Sequence, residues 1–282
     1  MNTLSRTFYN NSFARWLYNT PAGRFVYHLP ATAADLLSGK RDPLVPPRWK
    51  VFTGRGNYRE IGERFSALFK DCGLKPDDAV LDVGSGMGRM AVGLVDYLSP
   101  DARYHGLEIV RAGVSWCTRH ITSRYPHFRF HHADIYNRMY NRKGSVMPAD
   151  YRFPFENEAF DFAFLTSVFT HMLPPDVKHY LEELCRVLKR GGTCVATANL
   201  INGHSAARIE AGTTSLDMKY TGEHYRTVSL KTPEFNIGLE EDWLLEAYAA
   251  AGLVVEQPVL YGRWCRETTN TNFQDVIVAR KA

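Results

Sequence analysis

The chain has 282 residues, of which 45% are hydrophobic and 23% are charged. This composition excludes a disordered, collagen-like or disulfide-stabilised protein, and the length is sufficient for a large hydrophobic core. Residues 1–50 carry seven basic and two acidic residues, a net charge of +5, whereas residues 51–282 carry 27 and 28, a net charge of −1. The nearly neutral main body lacks the dense basic surface that duplex nucleic acid requires, so we predict no nucleic-acid partner.

The chain shows no apolar run long enough for a membrane span or a secretory signal. Arg6, Arg15 and Arg24 stand in an N-terminal segment without acids, so a mitochondrial transit peptide is kept as an alternative. The five cysteines are scattered and include no CxxC pair, which favours a reducing compartment and disfavours structural zinc. We therefore predict a cytoplasmic protein that binds no metal and does not associate with membranes.

Residues 1–57 are predicted to form a basic helical extension in front of one larger domain, residues 58–282. Phe13, Trp16 and Leu17 recur at helical spacing, and Pro21 marks a break between short helices.

After residue 58, short apolar runs alternate with helical patterns. Helices are predicted at 60–71, 89–98, 111–124, 175–189 and 240–251, and strands at 79–83, 104–109, 128–132, 160–165, 193–199, 254–261 and 273–280. The alternation predicts βαβ units and a parallel sheet, whereas the 11 residues between the last two strands are too few for a helical crossover. The expected fold is a doubly wound α/β fold, Rossmann-like, with a mostly parallel seven-stranded sheet and an antiparallel last strand.

Two long segments, 135–158 and 201–239, interrupt this pattern. Ligands of doubly wound folds bind beyond the carboxyl ends of the strands, and inserted loops there commonly build the substrate site. We therefore expect both insertions to contact the substrate.

The strongest motif is the run VLDVGSGMGR at residues 80–89, where a buried strand leads through a glycine-rich turn into a helix. Glycines allow positive φ and let a ligand lie against the backbone. A dinucleotide site would place a third glycine at the position of Arg89. Asp82 would repel a diphosphate but suits a ligand that carries an ammonium group.

At this motif the chain resembles the class I S-adenosylmethionine-dependent methyltransferases, over residues 75–200 and, in layout, to its end. The resemblance implies a cofactor, S-adenosylmethionine, whose methionine part contacts Asp82, Gly84, Gly86 and Gly88. It also implies that Glu108, which ends the second strand, binds both ribose hydroxyls, as a carboxylate with several acceptor sites can.

Further cofactor contacts are implied beyond the third and fourth strands. Asp134 in the run HHADI is expected near the adenine amino group, with Ile135 beside it and Thr166 after the fourth strand. The run FTGRGNY at residues 52–58 is similar to the lid of a bacterial subgroup associated with glycan modification. In that lid Arg55 or Tyr58 would meet the methionine carboxylate, and the basic extension would form a cap beside the cleft.

The acceptor is expected beside the run TSVFTHM that follows the fourth strand. It holds no Asn-Pro-Pro-Tyr type motif, which disfavours methylation of nucleic-acid bases. An imidazole with an ordinary pKa of ~6.5 suits deprotonation of a hydroxyl, so His171 is the predicted general base. His204 and His224 are weaker candidates for this role.

Aromatic residues of the two insertions suit sugars or small polar acceptors, although each ring can equally pack an insertion onto the sheet. These rings are Tyr136, Tyr140, Tyr151, Phe153, Phe155, Tyr220 and Tyr225, and Trp264 with Arg266 is expected to help close the pocket. The predicted function is methyl transfer from S-adenosylmethionine to a hydroxyl of a small molecule or glycan. The alternatives are an amine, sulfur or carboxylate acceptor, a non-catalytic cofactor-binding protein, and a nicotinamide dehydrogenase.

Overall fold

The computed structural model describes residues 23, 26, 42–52, 56–266, 269 and 271–282. The helical stripe predicted at residues 13–17 and the lid residue Arg55 lie outside these described residues. Most of the predicted extension, residues 1–57, does so as well, and the boundary at residue 58 stays a prediction.

Eleven strands occur in the described part of the chain. They are β1 (Ala79–Val83), β2 (Arg103–Glu108), β3 (Phe128–His132), β4 (Phe160–Leu165), β5 (Leu188–Ala198), β6 (Leu200–Ile201), β7 (Tyr220–Gly222), β8 (Tyr225–Thr227), β9 (Ile237–Glu240), β10 (Leu253–Val255) and β11 (Asp275–Lys281). Seven of them form one sheet in the order β10-β11-β5-β4-β1-β2-β3. Only β11 runs antiparallel to its neighbours, β5 and β10, which confirms the predicted α/β fold and its reversed last strand.

Six α-helices occupy residues 56–266 and accompany the strands. They are α1 (Tyr58–Asp71), α2 (Arg89–Leu94), α3 (Arg111–Cys117), α4 (Pro174–Val187), α5 (Gly203–Glu210) and α6 (Glu241–Ala250). Helices α1 and α2 cross at two glycines, because a Cβ on Gly93 would lie 2.2 Å from the carbonyl oxygen of Gly62. This contact seats α1 directly against the helix that follows the glycine-rich turn.

Several predicted boundaries are wrong. The helix predicted at 89–98 ends at Leu94, and the one predicted at 111–124 is α3 followed by a π-helical turn at Thr118–Thr122. The strand predicted at 254–261 is shorter, because β10 ends at Val255. Pro258 has no N–H to donate to a neighbouring strand, and the chain leaves the sheet there. It returns at Leu260, which forms an isolated bridge to Val276.

The second insertion contains a small second sheet, which the sequence pattern did not predict. Its strand order is β6-β9-β8-β7, and α5 lies between β6 and β7 along the chain. The side chain of Asp275, at the start of β11, joins the two sheets: it accepts hydrogen bonds from the Leu200 N–H, the Gly262 N–H and the Trp264 indole, each at 2.7 Å.

The main sheet is buried on both faces. Leu81 and Val83 of β1 belong to one core cluster and Val80 to the other, as expected when successive side chains point to opposite faces. Phe69 of α1 stacks on Phe164 of β4 with ring centroids 4.3 Å apart. Among the described helices, none combines the length and apolar composition of a membrane span.

Candidate active site

A cavity of about 230 Å³ opens at the carboxyl ends of the central strands. It lies between β1 and β4, the point where the strand order reverses, because the chain proceeds from β1 to β3 on one side and starts again at β4 on the other. Doubly wound folds bind their ligands at such a switch point. Six of the predicted site residues line it: Gly84, Gly86, Glu108, Ile135, Thr166 and His171.

The glycine-rich turn forms the floor of this cavity. Gly84 has a φ of +79°, and a Cβ on it would lie 2.5 Å from the side chain of Val168. The N–H groups of Gly84 and Ser85 donate to the carbonyl oxygen of Leu107, at 2.7 and 3.1 Å, and so tie the turn to β2. The turn is therefore fixed between β2 and the segment that follows β4, where only glycine fits at position 84.

Glu108 brings a carboxyl group to the cavity wall at the end of β2. Its Oε2 accepts from the Gly86 N–H at 2.6 Å and its Oε1 from the Val110 N–H at 2.7 Å. Burial raises the pKa of this carboxyl to about 7, while the backbone hydrogen bonds lower it. A carboxylate has about four acceptor positions, more than these two backbone bonds use, so Glu108 can also accept from a ligand hydroxyl.

Asp82, Tyr58 and Gly88 lie behind the turn and do not line the cavity. Asp82 is fully buried; one of its oxygens accepts a hydrogen bond from the Tyr104 hydroxyl, and the other has no partner among the described residues. Burial raises the pKa of Asp82 to about 7. The hydroxyl of Tyr58 donates to the carbonyl oxygen of Met87 at 2.7 Å, so this side chain holds the turn from its far side.

Asp134 also does not line the cavity. Its Oδ2 accepts from the Ser145 hydroxyl at 2.7 Å, and its carbonyl oxygen accepts from the N–H groups of Ser145 and Val146, both at 3.1 Å. The hydrogen bond from Ser145 lowers the pKa of the Asp134 carboxyl. Asp134 thus closes the loop of the first insertion, and its neighbour Ile135, which is buried, reaches the cavity wall.

His171 ends a 3₁₀ turn, Phe169–His171, that follows β4. Its Nδ1 lies 2.8 Å from the carbonyl oxygen of Glu234, an acceptor only, so Nδ1 carries the proton and the neutral ring keeps its lone pair on Nε2. Burial lowers the pKa of His171, and this hydrogen bond partly offsets the effect. The ring of Tyr140, also on the cavity wall, meets the imidazole edge-on with centroids 5.4 Å apart.

The two weaker candidates for a base lie away from the cavity. His204 is exposed at the start of α5. His224 contacts the Glu240 carboxylate at 3.0 Å and stacks on Trp243. Neither imidazole lines the cavity wall.

The predicted aromatic residues divide into two groups. Tyr136 and Tyr140 line the cavity, whereas Phe153 packs edge-on against Tyr180 with centroids 5.1 Å apart. The other rings, Tyr151, Phe155, Tyr220 and Tyr225, also lie outside the cavity wall.

The expectation that Trp264 and Arg266 close the pocket is wrong. Trp264 is fully buried in a separate apolar cluster, where its indole donates to Asp275. Arg266 lies over the ring of Tyr261 at 3.8 Å and does not line the cavity either.

Sequence reasoning missed Ser167, which has a φ of +61° and lines the cavity. Its hydroxyl donates to Oε1 of Gln274 at 2.9 Å, and its N–H donates to the Thr197 hydroxyl at 2.8 Å. The Thr197 hydroxyl in turn donates to the same Gln274 oxygen at 2.6 Å. No local signal marks this network, because 107 residues separate Ser167 from Gln274.

These residues suit a nucleoside that carries a polar chain. The carboxyl of Glu108 provides acceptors for a vicinal diol, and the glycine turn offers bare backbone. The hydroxyl of Ser85, on the cavity wall, is buried without a partner in the described structure. Apolar side chains of Met90 and Leu107 complete the wall. In the part of the chain that the structure describes, no group of three potential metal ligands occurs.

Residues 80–192 match a family model described as a methyltransferase domain. Among solved structures, a Pyrococcus horikoshii protein is 15% identical, with a TM-score of 0.55 over 81% of this chain and 93% of that one. The cyclase SpnF is 16% identical, with a TM-score of 0.53 over 91% and 94% of the two chains. Magnesium protoporphyrin IX methyltransferase from Synechocystis, solved with bound S-adenosylhomocysteine, is 12% identical, with a TM-score of 0.52 over 91% and 97%. These three likenesses show the fold, and the presence of a cyclase among them illustrates that a fold does not fix a reaction.

Proposed function

We propose that this chain, which is an S-adenosylmethionine-dependent methyltransferase with a class I fold, methylates a hydroxyl group of a small molecule or glycan. One observation carries the proposal: His171 lines the same cavity as Glu108 and the glycine turn, and its hydrogen bond to Glu234 leaves Nε2 free to accept a proton. An acceptor hydroxyl needs such a base, because it must lose its proton as the new bond forms.

The cofactor would be held by the residues of the cavity wall. Gly84 and Gly86 would contact its methionine part, Glu108 its ribose, and Ile135 and Thr166 would pack beside them. Bound S-adenosylmethionine supplies an electrophilic methyl group on a positively charged sulfur.

The other residues of the predicted set are proposed to act indirectly or from the rim. Gly88 and Tyr58 would shape the turn from behind, where their hydrogen bonds hold it, and Asp82 would join β1 to β2 through Tyr104. Asp134 would position the first insertion, and Arg55 would meet the methionine carboxylate.

His171 would act as the general base. Its Nε2 would accept the proton of the acceptor hydroxyl as the hydroxyl oxygen takes the methyl group, whose bond to the sulfur breaks so that S-adenosylhomocysteine leaves. The Nδ1–H stays hydrogen-bonded to the Glu234 carbonyl oxygen, and this bond stabilises the imidazolium that results. Because burial lowers the pKa of His171, the ring is neutral and ready to accept a proton at neutral pH.

The acceptor side of the cavity favours a small polar molecule. Tyr136 and Tyr140 offer aromatic faces with hydroxyl tips, which suit sugars and other polar ring compounds. We propose neither a nucleic-acid acceptor nor membrane association. The five cysteines, all free thiols, support a cytoplasmic location.

The test is a pair of variants at His171, assayed for S-adenosylhomocysteine release with a panel of hydroxyl-bearing sugars and small molecules. His171→Gln and His171→Ala are expected to lower kcat by about 10²–10⁴-fold, the usual contribution of a general base. Their affinity for S-adenosylhomocysteine, measured by calorimetry, should stay within about twofold, since His171 serves the acceptor rather than the cofactor. His224→Ala is the matched control, because it removes an imidazole that lies outside the cavity.

Three outcomes would contradict the proposal in different ways. Unchanged turnover in His171→Ala would show that His171 is not the general base. A flat pH–rate profile near neutrality, with transfer to amines or thioethers, would show that the acceptor is not a hydroxyl. These acceptors attack through a lone pair and need no base. Cofactor binding without transfer to any acceptor of a cell extract indicates a non-catalytic protein.

A further inference from the structure

A second cleft, of about 490 Å³, lies between the two insertions. Tyr136, Arg138 and Arg142 line it from the first insertion, and Lys231 and Thr232 from the second. The wall therefore carries three cations and no acid. Within the described residues, none of the three cations forms an ion pair, and all three are exposed.

The loop that carries the two arginines is held by its own hydrogen bonds. The backbone groups of Asn137 and Asn141 pair in both directions, at 2.9 and 3.0 Å, and the Asn137 side chain accepts from the N–H groups of Met139 and Tyr140. The Nε of Arg142 donates to the carbonyl oxygen of Arg138 at 2.7 Å, which leaves the outer guanidinium nitrogens for a ligand. The backbone of both arginines and the Nε of Arg142 are thus positioned before any ligand arrives, which lowers the entropic cost of binding.

Lys231 stands on a similarly ordered turn of the second insertion. The Ser229 hydroxyl accepts from the Thr232 N–H at 3.2 Å, and the Ser229 N–H donates to the Thr227 hydroxyl at 3.3 Å. Glu234, the acid closest to this turn in sequence, does not line the cleft. The positive charge of the cleft therefore has no counterpart on its own wall.

Tyr136 connects this cleft to the cofactor cavity, because this residue lines both. The same loop carries Tyr140, whose ring contacts the imidazole of His171. A molecule held in the cleft by one end would consequently be able to extend its other end past Tyr136 toward the proposed base.

We propose that this basic cleft binds an oxyanionic group of the acceptor, a phosphate or a carboxylate, and so selects anionic small molecules. Arginine forks match both groups with paired hydrogen bonds, and three unpaired like charges repel one another until an anion is bound. This inference rests on the proposed function, since it assigns the molecule in the cleft as the methyl acceptor.

The test is a calorimetric titration of the full chain with inorganic pyrophosphate and, separately, with citrate, in the presence and absence of S-adenosylhomocysteine. The two probes distinguish a phosphate from a carboxylate ligand. The variant R138Q/R142Q/K231Q is expected to bind the preferred anion at least about tenfold more weakly than the wild type, because it loses three charge-assisted contacts. Its affinity for S-adenosylhomocysteine should be unchanged.

The matched control is K75Q/R129Q/R190Q, which removes the same charge from exposed cations near the amino ends of β1, β3 and β5, on the opposite edge of the sheet. This control is expected to bind the anion as the wild type does. Equal weakening in both triple variants indicates only a general charge effect and overturns the proposal. Absence of anion binding to the wild type also overturns it.

Two further arms keep the proposals separate. If S-adenosylhomocysteine does not bind the wild type, the proposed function fails, whereas the titration with pyrophosphate alone still decides whether the cleft binds an anion. If a short duplex oligonucleotide binds through the same three cations, and more tightly than pyrophosphate, the cleft serves nucleic acid and the small-molecule assignment is wrong.

Discussion

Glu108 accepts two backbone hydrogen bonds and also faces the cavity. Its carboxyl holds the N–H groups of Gly86 and Val110, and so connects β2 to the glycine turn, while it also lines the cavity. Because burial raises its pKa to about 7, this residue changes charge in the pH range where enzymes are assayed. Its contribution to cofactor binding should therefore depend on pH.

The first prediction concerns Glu108→Gln. At pH 8 the variant is expected to bind S-adenosylhomocysteine about 10–100-fold more weakly, because hydrogen bonds to a charged acceptor are replaced by bonds to a neutral one. In the wild type, affinity should rise as the pH increases from 6 to 8 through the Glu108 pKa of about 7, since the ionised form accepts more strongly. The variant should lack this rise.

Calorimetric titrations at pH 6, 7 and 8 would check both statements. Glu182→Gln, which changes an exposed glutamate of α4, is the control. Equal affinity of Glu108→Gln and the wild type at pH 8 would show that Glu108 only supports the turn and does not contact the ribose.

The residues found from sequence were those with a local signal. Glu108 ends a strand and His171 precedes a helix, and strand ends of a parallel sheet converge on one edge, so both reach the cavity. Asp82 and Asp134 share the same strand-end positions, but their side chains are engaged by Tyr104 and Ser145. The orientation of a side chain depends on such partners, which sequence spacing does not specify.

The junction between the two sheets depends on one buried carboxyl group. Asp275 accepts hydrogen bonds from the start of β6, from the chain before β11 and from the indole of Trp264. It is fully buried, so no water can replace it without local opening. The insertion that carries Lys231 is therefore held to the main sheet through this side chain.

The second prediction follows from this arrangement. Asp275→Ala is expected to lower the free energy of unfolding by about 2–4 kcal/mol, because buried donors that lose their acceptor each cost about 1–3 kcal/mol. Asp275→Asn keeps one acceptor oxygen and should cost less. Urea unfolding would measure both, with the exposed Asp217→Ala as control. A loss below about 0.5 kcal/mol, the range of ordinary surface changes, would contradict the prediction.

The main sheet was predictable and the small sheet was not, for a physical reason. Strands β1 and β4 are mostly apolar and buried, whereas β3 alternates buried phenylalanines with polar residues, and the predicted bounds of all three agree with the structure. Strands β6 to β9 have two to four residues each and mixed burial. Such short strands are stabilised by their partners across the sheet, so their own sequence gives little indication of them.

Two carboxyl groups, Asp82 and Glu108, lie buried close to each other in the centre of the molecule, and burial raises the pKa of each to about 7. In the unfolded chain both titrate near their ordinary values of ~4. Between these values the two carboxyl groups bind more protons in the folded protein than in the unfolded one, so their contribution to stability falls as the pH rises.

The third prediction is therefore that the free energy of unfolding of the wild type, measured relative to that of Asp82→Asn, decreases between pH 5 and pH 8. The comparison with the variant is needed because burial lowers the pKa of His105, His131 and His171, and these histidines raise the stability over the lower part of the same range. The size of the decrease should be about 2–4 kcal/mol, since each unit of pKa difference corresponds to about 1.4 kcal/mol. Urea unfolding of both proteins at four pH values without cofactor would measure it, and a constant or rising difference over this range would refute it.

The net charge of the main body does not show where its charged residues lie in the fold. Residues 51–282 are nearly neutral in sum, yet the cleft between the insertions collects three cations and no acid. The sequence count could not indicate this, because Arg138 and Lys231 are 93 positions apart and meet only through the fold. A neutral total thus excludes a broadly basic protein but not a local anion site.

The position of β11 has a consequence for how the enzyme is made. This strand is inserted between β10 and β5, although the ribosome synthesises it after every other strand of the sheet. Until then β5 presents an open edge that can pair with a neighbouring nascent chain. Gln274, which immediately precedes β11, also completes the hydrogen bonds of Ser167 at the cavity wall. Catalytic competence should thus emerge only when translation has passed this strand, so that unfinished polypeptides remain inactive.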